Sequence, residues 1–166
     1  MARTTEWRIG VIASVGTHLV DRLVANDDVH SVVNWAFDEL ANPLKLLRTI
    51  RKSKVDAVLI NLESGSVSDN KIASRLGLVI PGLLRVGGVP TGVLLDELGS
   101  RASMLAVLRA DYVALSSPGD VEFLQEAYEA TNVFVAPQAS SEAIGWHLAQ
   151  LGDVVDGLPV GQQYHR

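Results

Sequence analysis

The stretch Lys54-Val55-Asp56-Ala57-Val58-Leu59-Ile60-Asn61-Leu62 is the part of the chain that best indicates its fold. It contains an uninterrupted apolar run from Ala57 to Ile60, which lies between the polar residues Asp56 and Asn61. A strand without polar alternation is typical of a parallel sheet that helices cover on both faces. The stretch therefore predicts a buried strand in the middle of a parallel sheet.

Further apolar runs of similar length occur along the chain, and longer amphipathic stretches separate them. In those stretches apolar residues recur at helical spacing, so strands and helices alternate about six times. Because crossovers between parallel strands are right-handed, this order predicts an α/β fold: a doubly wound parallel sheet of five or six strands in a three-layer sandwich. The further runs are Ile9–Ala13, Val32–Phe37, Gly92–Leu95, Tyr112–Leu115 and Val133–Ala136.

Two of the helical stretches carry specific expectations. The stretch that follows Asn42-Pro43 is predicted to have a basic, solvated side formed by Lys45, Arg48 and Lys52. In the next helical stretch, Pro81-Gly82 is expected to break or kink the helix, because proline lacks the backbone N–H that the helix needs. The predicted apolar side of the first of these helices consists of Leu44, Leu46, Leu47 and Ile50.

The composition indicates an ordinary globular protein. Its 166 residues, 48% of them apolar and 20% charged, fit a single domain. The cysteine count is 0, which excludes disulfides, thiolate metal sites and a cysteine nucleophile. A net charge of -5 disfavours nucleic-acid binding, and no apolar run approaches the length of a membrane span. We therefore expect a cytoplasmic protein that binds neither nucleic acid nor membrane directly.

The end of the chain is rich in glycine and lacks a periodic pattern. Between Gly152 and Gly161 the apolar residues do not recur at helical or strand spacing. We therefore expect the α/β domain to span residues 1–151 and a C-terminal tail or linker to span residues 152–166.

Residues that end the predicted strands are the first candidates for a functional site. Ligands of open α/β sheets bind in the crevice at the carboxyl ends of the strands, so the side chains that lie there are placed to contact them. These candidates are Ala13, Ser14, Asn61, Asp96, Leu115 and Ser116.

Several parts of the chain resemble the receiver domain of bacterial response regulators, in particular those with a LuxR- or NarL-type output domain. The stretch Lys54–Leu62 is similar to the receiver strand that carries the phosphoacceptor aspartate. Met104–Ala110 followed by Tyr112–Pro118 resembles the fourth helix and the fifth strand, and the similarity continues through Gly119–Thr131 and Phe134–Pro137. The resemblance implies a signalling domain, associated with two-component systems and transcription regulation, whose strands are arranged as in the flavodoxin-like sandwich of a receiver.

The phosphorylation residues of the receiver family are all replaced in this chain. The phosphoacceptor position holds Asn61, whose neutral amide cannot form an acyl phosphate. Ala13-Ser14 replaces the acidic pair that holds Mg²⁺, and Asp96 occupies the position of the family's Thr or Ser. Leu115, or Ser116 if the register is shifted by one residue, stands in place of the lysine. The resemblance therefore implies a pseudo-receiver without enzymatic activity, cofactor or metal, whose less charged crevice is open to a small ligand.

The resemblance also implies how the protein contacts its partners. Receiver domains often pair through the fourth helix, the fifth strand and the fifth helix. We therefore expect a homodimer, together with contacts to an output domain or another regulatory protein. The candidate interface residues are Ser103, Leu108, Arg109, Tyr112, Glu122 and Glu126.

A second interpretation rests on the segment Gly10-Val11-Ile12-Ala13-Ser14-Val15-Gly16. It resembles the glycine turn of short-chain dehydrogenases, in which the backbone approaches a pyrophosphate at a helix N-terminus. Ala13 occupies the position of the middle glycine, and the chain contains no Tyr-x-x-x-Lys pair. The alternative function is therefore an NAD(P)-binding Rossmann-type domain or a fragment of such an enzyme. A third possibility is a sheet protein with a scaffold role only.

Overall fold

The strands form one parallel sheet. A computed structural model describes residues 6–13, 19–36, 43–62, 80–95, 98, 101–136 and 140–160. The strands in these ranges are β1 (Trp7–Ala13), β2 (Val29–Ala36), β3 (Ala57–Asn61), β4 (Thr91–Leu95), β5 (Tyr112–Leu115) and β6 (Val133–Val135). Their order in the sheet is β2-β1-β3-β4-β5-β6, and every neighbouring pair is parallel. This arrangement confirms the predicted doubly wound α/β fold, and the sheet has six strands.

The amphipathic stretches between the strands form the helices. They are α1 (Leu19–Val24), α2 (Pro43–Ser53), α3 (whose described part is residues 80–86), α4 (Arg101–Val107), α5 (Pro118–Tyr128) and α6 (Ser140–Val155). Helix α5 begins with Ser117 as its N-cap and Pro118 in the first turn, where the missing N–H of proline does no harm. Of the helices in these ranges, none combines the length and the apolar character that a membrane span requires.

The two faces of the sheet pack against different helices. We call the core beneath α2, α3, α4 and α5 the α2–α5 core, and the core beneath α1 and α6 the α1–α6 core. The α2–α5 core includes Leu46, Ile60, Ile80, Val93, Met104 and Leu124. The α1–α6 core includes Leu23, Leu59, Tyr112, Ile144, Trp146 and Leu151.

Helix α2 has the predicted amphipathic character with one exception. Leu46 and Ile50 are buried in the α2–α5 core, and the basic residues on the opposite side are exposed. Leu44 was expected on the apolar side, but 70% of its surface is exposed. It lies in the first turn of the helix, one position after Pro43. The apolar side of α2 is therefore narrower than predicted, because it does not include Leu44.

Two expectations about helix boundaries concern α3 and α6. Pro81 and Gly82 lie in the described part of α3, residues 80–86, which is helical, and the preceding residues of the predicted helix lie outside the described ranges. Helix α6 continues to Val155, so residues 152–155, which were predicted to belong to a tail, are helical. Asp153 is buried, and Val160 packs against the α1–α6 core. The domain therefore extends beyond its predicted boundary at residue 151.

Candidate functional site

The predicted crevice begins where β1 and β3 end side by side. Asn61 is the last residue of β3, and Ala13 is the last residue of β1. The register pairs Ile12 with Ile60, so Ala13 and Asn61 are the next residues along two neighbouring strands. Asn61 is only 2% exposed. Because side chains alternate along a strand, Asn61 points to the same face as Leu59, towards the α1–α6 core.

The remaining crevice candidates are spread over the same edge of the sheet. Leu115 ends β5 and is buried, and Ser116 follows it and is exposed. They lie two strands away from Asn61 in the sheet order. Ser14 and Asp96 lie outside the described residues. Ala13 and Asn61 thus lie together at one part of this edge, and Leu115 and Ser116 lie at another.

A cavity lies at the carboxyl ends of β4 and β5, on the face covered by α1 and α6. We call it the β4–β5 cavity, and its volume is about 230 Å³. Its polar lining comes from Arg22 on α1, Ser116 after β5 and His147 on α6. Apolar residues, among them Leu19, Leu94 and Ile144, form most of the remaining wall. Ser116 was predicted from the sequence, whereas Arg22 and His147 were missed because no local motif marks them.

A hydrogen bond inside the α1–α6 core holds His147 in place. The hydroxyl oxygen of Tyr112 lies 2.7 Å from Nδ1 of His147, and both side chains are buried. Burial lowers the pKa of His147 to about 4, so its imidazole is neutral at pH 7. Burial, assisted by the negative charge of Asp111, raises the pKa of Tyr112 well above its ordinary value. The pair is therefore a hydrogen bond between two neutral groups.

The tautomer of His147 follows from the same contact. Among the described contacts, Nδ1 of His147 is the acceptor available to the Tyr112 hydroxyl. If Nδ1 carried the proton instead, the Tyr112 O–H would be buried without an acceptor, which costs free energy. The hydroxyl therefore donates to Nδ1, and the imidazole proton is on Nε2. His147, which lines the β4–β5 cavity, thus has its N–H donor at Nε2.

Tyr112 is fixed by its neighbours. Gly92 is the partner of Tyr112 in the register of β4 and β5, and a Cβ atom on this glycine would overlap the tyrosine ring and its hydroxyl oxygen. The ring of Trp146 meets that of Tyr112 edge to face, with centroids 5.5 Å apart. The absence of a side chain at Gly92 thus creates the space that the buried tyrosine fills.

Tyr112 was expected on a dimer face, and that expectation is wrong. Its side chain is 0% exposed, because β6 covers the edge of β5 and α6 covers its face. Of the other interface candidates, Leu108 is half-buried, and Arg109, Glu122 and Glu126 are exposed. The side chain of Ser103 lies outside what the structure describes.

A cavity larger than the β4–β5 cavity lies at the opposite, amino end of the sheet and was not anticipated. It measures about 990 Å³, and its lining includes five aspartates and Arg85. Two of the aspartates accept backbone hydrogen bonds, each at 2.8 Å: Asp56 accepts the N–H of Arg8, and Asp111 accepts the N–H of Thr91. Burial raises the pKa of Asp111, although this hydrogen bond and the charge of Arg85 oppose the rise. The sequence signal for both is an aspartate directly before a buried strand. The five aspartates are Asp28, Asp56, Asp111, Asp153 and Asp156.

The geometry of β1 is incompatible with a dinucleotide turn at Gly10. In Rossmann domains the first glycine of the motif forms the tight turn that follows the strand. Gly10 instead lies within β1, where it pairs with Val33 and Val58 on either side. A Cβ atom there would lie 2.5 Å from the Trp35 ring, so close packing accounts for this glycine. The strand order also differs from the 3-2-1-4-5-6 order of the Rossmann fold.

The described ranges contain no group of three or more His, Asp or Glu side chains arranged to hold a metal ion. A scan against models of protein families and a search of curated proteins both find no match to this chain. The candidate site therefore rests on geometry: the end of β3 at Asn61, and the β4–β5 cavity with its buried histidine.

Proposed function

We propose that this protein is a regulatory module of receiver-like topology, which acts by contact with a second copy of itself and accepts no phosphoryl group. The order β2-β1-β3-β4-β5 supports this proposal, because flavodoxin-like proteins and receivers share it. The observation that carries the proposal is Asn61 at the end of β3, where a receiver has its phosphoacceptor carboxylate. Strand β6 and helix α6 extend the receiver pattern by one βα unit.

The chemistry of the strand ends supports the loss of phosphorylation. An amide is a poor nucleophile and carries no charge, so Asn61 cannot replace an aspartate in acyl transfer. Ala13 at the end of β1 offers no oxygen ligand to Mg²⁺ from its side chain. The position expected for the lysine holds Leu115, which is buried, or Ser116, which is neutral. A switch in this module therefore has to use contacts or a ligand instead of phosphate.

The helices beside β5 provide a surface suited to a second copy. We call it the α4–α5 surface and define it by Leu105, Arg109, Glu122, Phe123 and Glu126. Leu105 and Phe123 expose about half of their surfaces, 49% and 50%. Arg109 is positively charged, and Glu122 and Glu126 are negatively charged. A twofold axis can therefore pair the arginine of each copy with a glutamate of the other. The proposal places the protein in the cytoplasm, in line with a sequence without cysteine.

The oligomeric state tests the contact. We expect sedimentation equilibrium to give a dimer, which Phe123→Asp dissociates because a carboxylate then replaces an apolar contact. Leu44→Asp is the matched control, since Leu44 is also exposed but lies on α2. Arg109→Glu is expected to weaken the dimer and Glu126→Arg to restore it in the double variant. A monomeric wild-type chain, or equal effects of Phe123→Asp and Leu44→Asp, would contradict the proposal.

A small-molecule phosphodonor tests the loss of phosphorylation. We expect acetyl phosphate with Mg²⁺ to leave the amide spectrum of the protein unchanged and to add no mass. The variant Asn61→Asp is the informative comparison, because it restores the carboxylate but not the metal ligands. Saturable shifts around Asn61 in the wild-type protein would overturn this part of the proposal.

A further inference from the structure

The β4–β5 cavity has the position and the size of a site for a small molecule. It lies at the carboxyl ends of the strands, which is where open α/β sheets bind their ligands. Its volume of about 230 Å³ corresponds to about eight water-sized groups, taking roughly 30 Å³ for each. Such a volume excludes a nucleotide and fits a molecule of a few non-hydrogen atoms.

Three side chains of the wall can donate hydrogen bonds, and none of them carries a negative charge. Arg22 contributes a guanidinium, Ser116 a hydroxyl, and His147 the N–H at Nε2, because Tyr112 occupies its Nδ1. Arg22 lines the cavity, and the contacts of the described residues include no ion pair of its guanidinium. A set of donors that includes one positive charge favours an anion over a cation or a neutral molecule.

The apolar part of the wall indicates what the rest of the anion is made of. Leu19, Leu94 and Ile144 surround the polar groups with apolar surface. A bare inorganic anion would leave this surface in contact with water, whereas an aliphatic tail would cover it. The ligand that fits both parts of the wall has an anionic head and a short apolar tail.

We propose that the β4–β5 cavity binds a small aliphatic monocarboxylate of about four to six carbon atoms, a size set by the cavity volume. The carboxylate meets Arg22, Ser116 and Nε2–H of His147, and the tail lies against the leucine and isoleucine side chains. The Tyr112–His147 pair positions the histidine donor without entering the site. This binding site goes beyond the proposed protein contact and does not depend on it.

The test is a titration of the full chain followed by amide NMR and by calorimetry. We expect butyrate and pentanoate to bind saturably and to shift resonances of α1, α6 and the ends of β4 and β5. Butyramide, which has the same shape but no charge, is expected to bind about tenfold more weakly. Inorganic phosphate is expected to give no saturable shifts at these residues.

Two variants locate the site, and one control matches them. Arg22→Gln should weaken butyrate binding about tenfold, while Arg48→Gln, at an exposed arginine of α2 on the other face, should leave it unchanged. Ala143→Leu should abolish binding by filling the cavity from α6. Because Arg22 is exposed, its variant should fold even if Ala143→Leu does not.

Three results would overturn the inference. They are the absence of saturable binding by either carboxylate, equal affinity for butyramide, and equal losses in Arg22→Gln and Arg48→Gln. Repeating the titration on Phe123→Asp separates this inference from the proposed dimer. Binding that persists in a monomeric variant supports the site even if the protein contact is lost.

Discussion

The two faces of the sheet differ in what they bury. Leucine, isoleucine, valine and methionine side chains dominate the α2–α5 core, as in any well-packed interior. The α1–α6 core contains the Tyr112–His147 hydrogen bond, and α6 carries two further buried polar residues, Gln150 and Asp153. The β4–β5 cavity also opens on this second face. The Tyr112–His147 pair, Gln150, Asp153 and the β4–β5 cavity thus lie on the face opposite the α2–α5 core.

This difference has an energetic meaning. A buried polar group lowers stability unless it is hydrogen-bonded, and even then an apolar replacement of similar shape is often neutral. The α2–α5 core therefore needs no explanation beyond packing, whereas a buried histidine and tyrosine require one. The carboxylate site proposed for the β4–β5 cavity supplies it, because the pair orients the Nε2–H donor.

The largest expected effect concerns the space that Tyr112 fills. Gly92→Ala places a methyl group within 2.7 Å of three tyrosine atoms in a fully buried position, so we expect a loss of about 3 kcal/mol in unfolding free energy. Gly145→Ala is the control, since a Cβ atom there has no neighbouring atom within 4 Å and alanine favours a helix by about 0.5–1 kcal/mol. Urea denaturation measures both. Equal effects at the two glycines would show that Tyr112 is not fixed as described.

The next effect is a pH dependence that arises in the α1–α6 core. His147 has a pKa of about 4 in the folded protein and an ordinary value of 6.5, so the unfolded chain binds the proton more readily. The contribution of His147 to the unfolding free energy is therefore close to zero above pH 6.5 and becomes unfavourable as the pH decreases towards 4. Between pH 7 and pH 5 we expect a loss of about 2 kcal/mol from this residue.

The variant His147→Gln isolates that contribution. The raised pKa of Asp111 acts in the opposite direction at low pH, but it is present in both proteins and cancels in the difference. The unfolding free energy of the variant should therefore depend less on pH between 7 and 5 than that of the wild type. Identical profiles would mean that His147 is charged or accessible in the folded state.

The sequence predicts the strands well because each one is a local apolar run. The runs around Ile60, Val93 and Val113 are buried on both faces, so no polar residue interrupts them and no other part of the chain is needed to recognise them. The same locality explains the start of α5 at Ser117-Pro118. The fold class could therefore be derived from the residues alone.

The site could not be predicted in the same way because its parts are distant in sequence. Tyr112 and His147 are 35 positions apart and meet only when α6 packs on β5. The wrong expectation for Tyr112 came from the resemblance, which implied pairing through the fifth strand, whereas β6 and α6 cover this strand. The helical character of Gly152 was missed because its support comes from tertiary packing of the residues beside it, Leu151 and Asp153.

The smallest expected effect compares two aspartates in equivalent places at the amino end of the sheet. Asp111 accepts the N–H of Thr91, which is fully buried, whereas Asp56 accepts the N–H of Arg8, which is exposed. Asp111→Ala leaves a buried donor without a partner and should cost about 1–2 kcal/mol. In Asp56→Ala, water can replace the lost acceptor, so the cost should stay below about 0.5 kcal/mol.

Hydrogen exchange separates the local cause from a general loss of stability. In Asp111→Ala, the Thr91 amide should exchange faster than the other β4 amides, while Asp111→Asn should keep it protected because its side-chain oxygen can still accept. If Asp56→Ala destabilised the protein as much as Asp111→Ala, burial of the donor N–H would not be what distinguishes the two aspartates. The comparison would then point to a shared electrostatic role of the aspartates, since both line the cavity at the amino end.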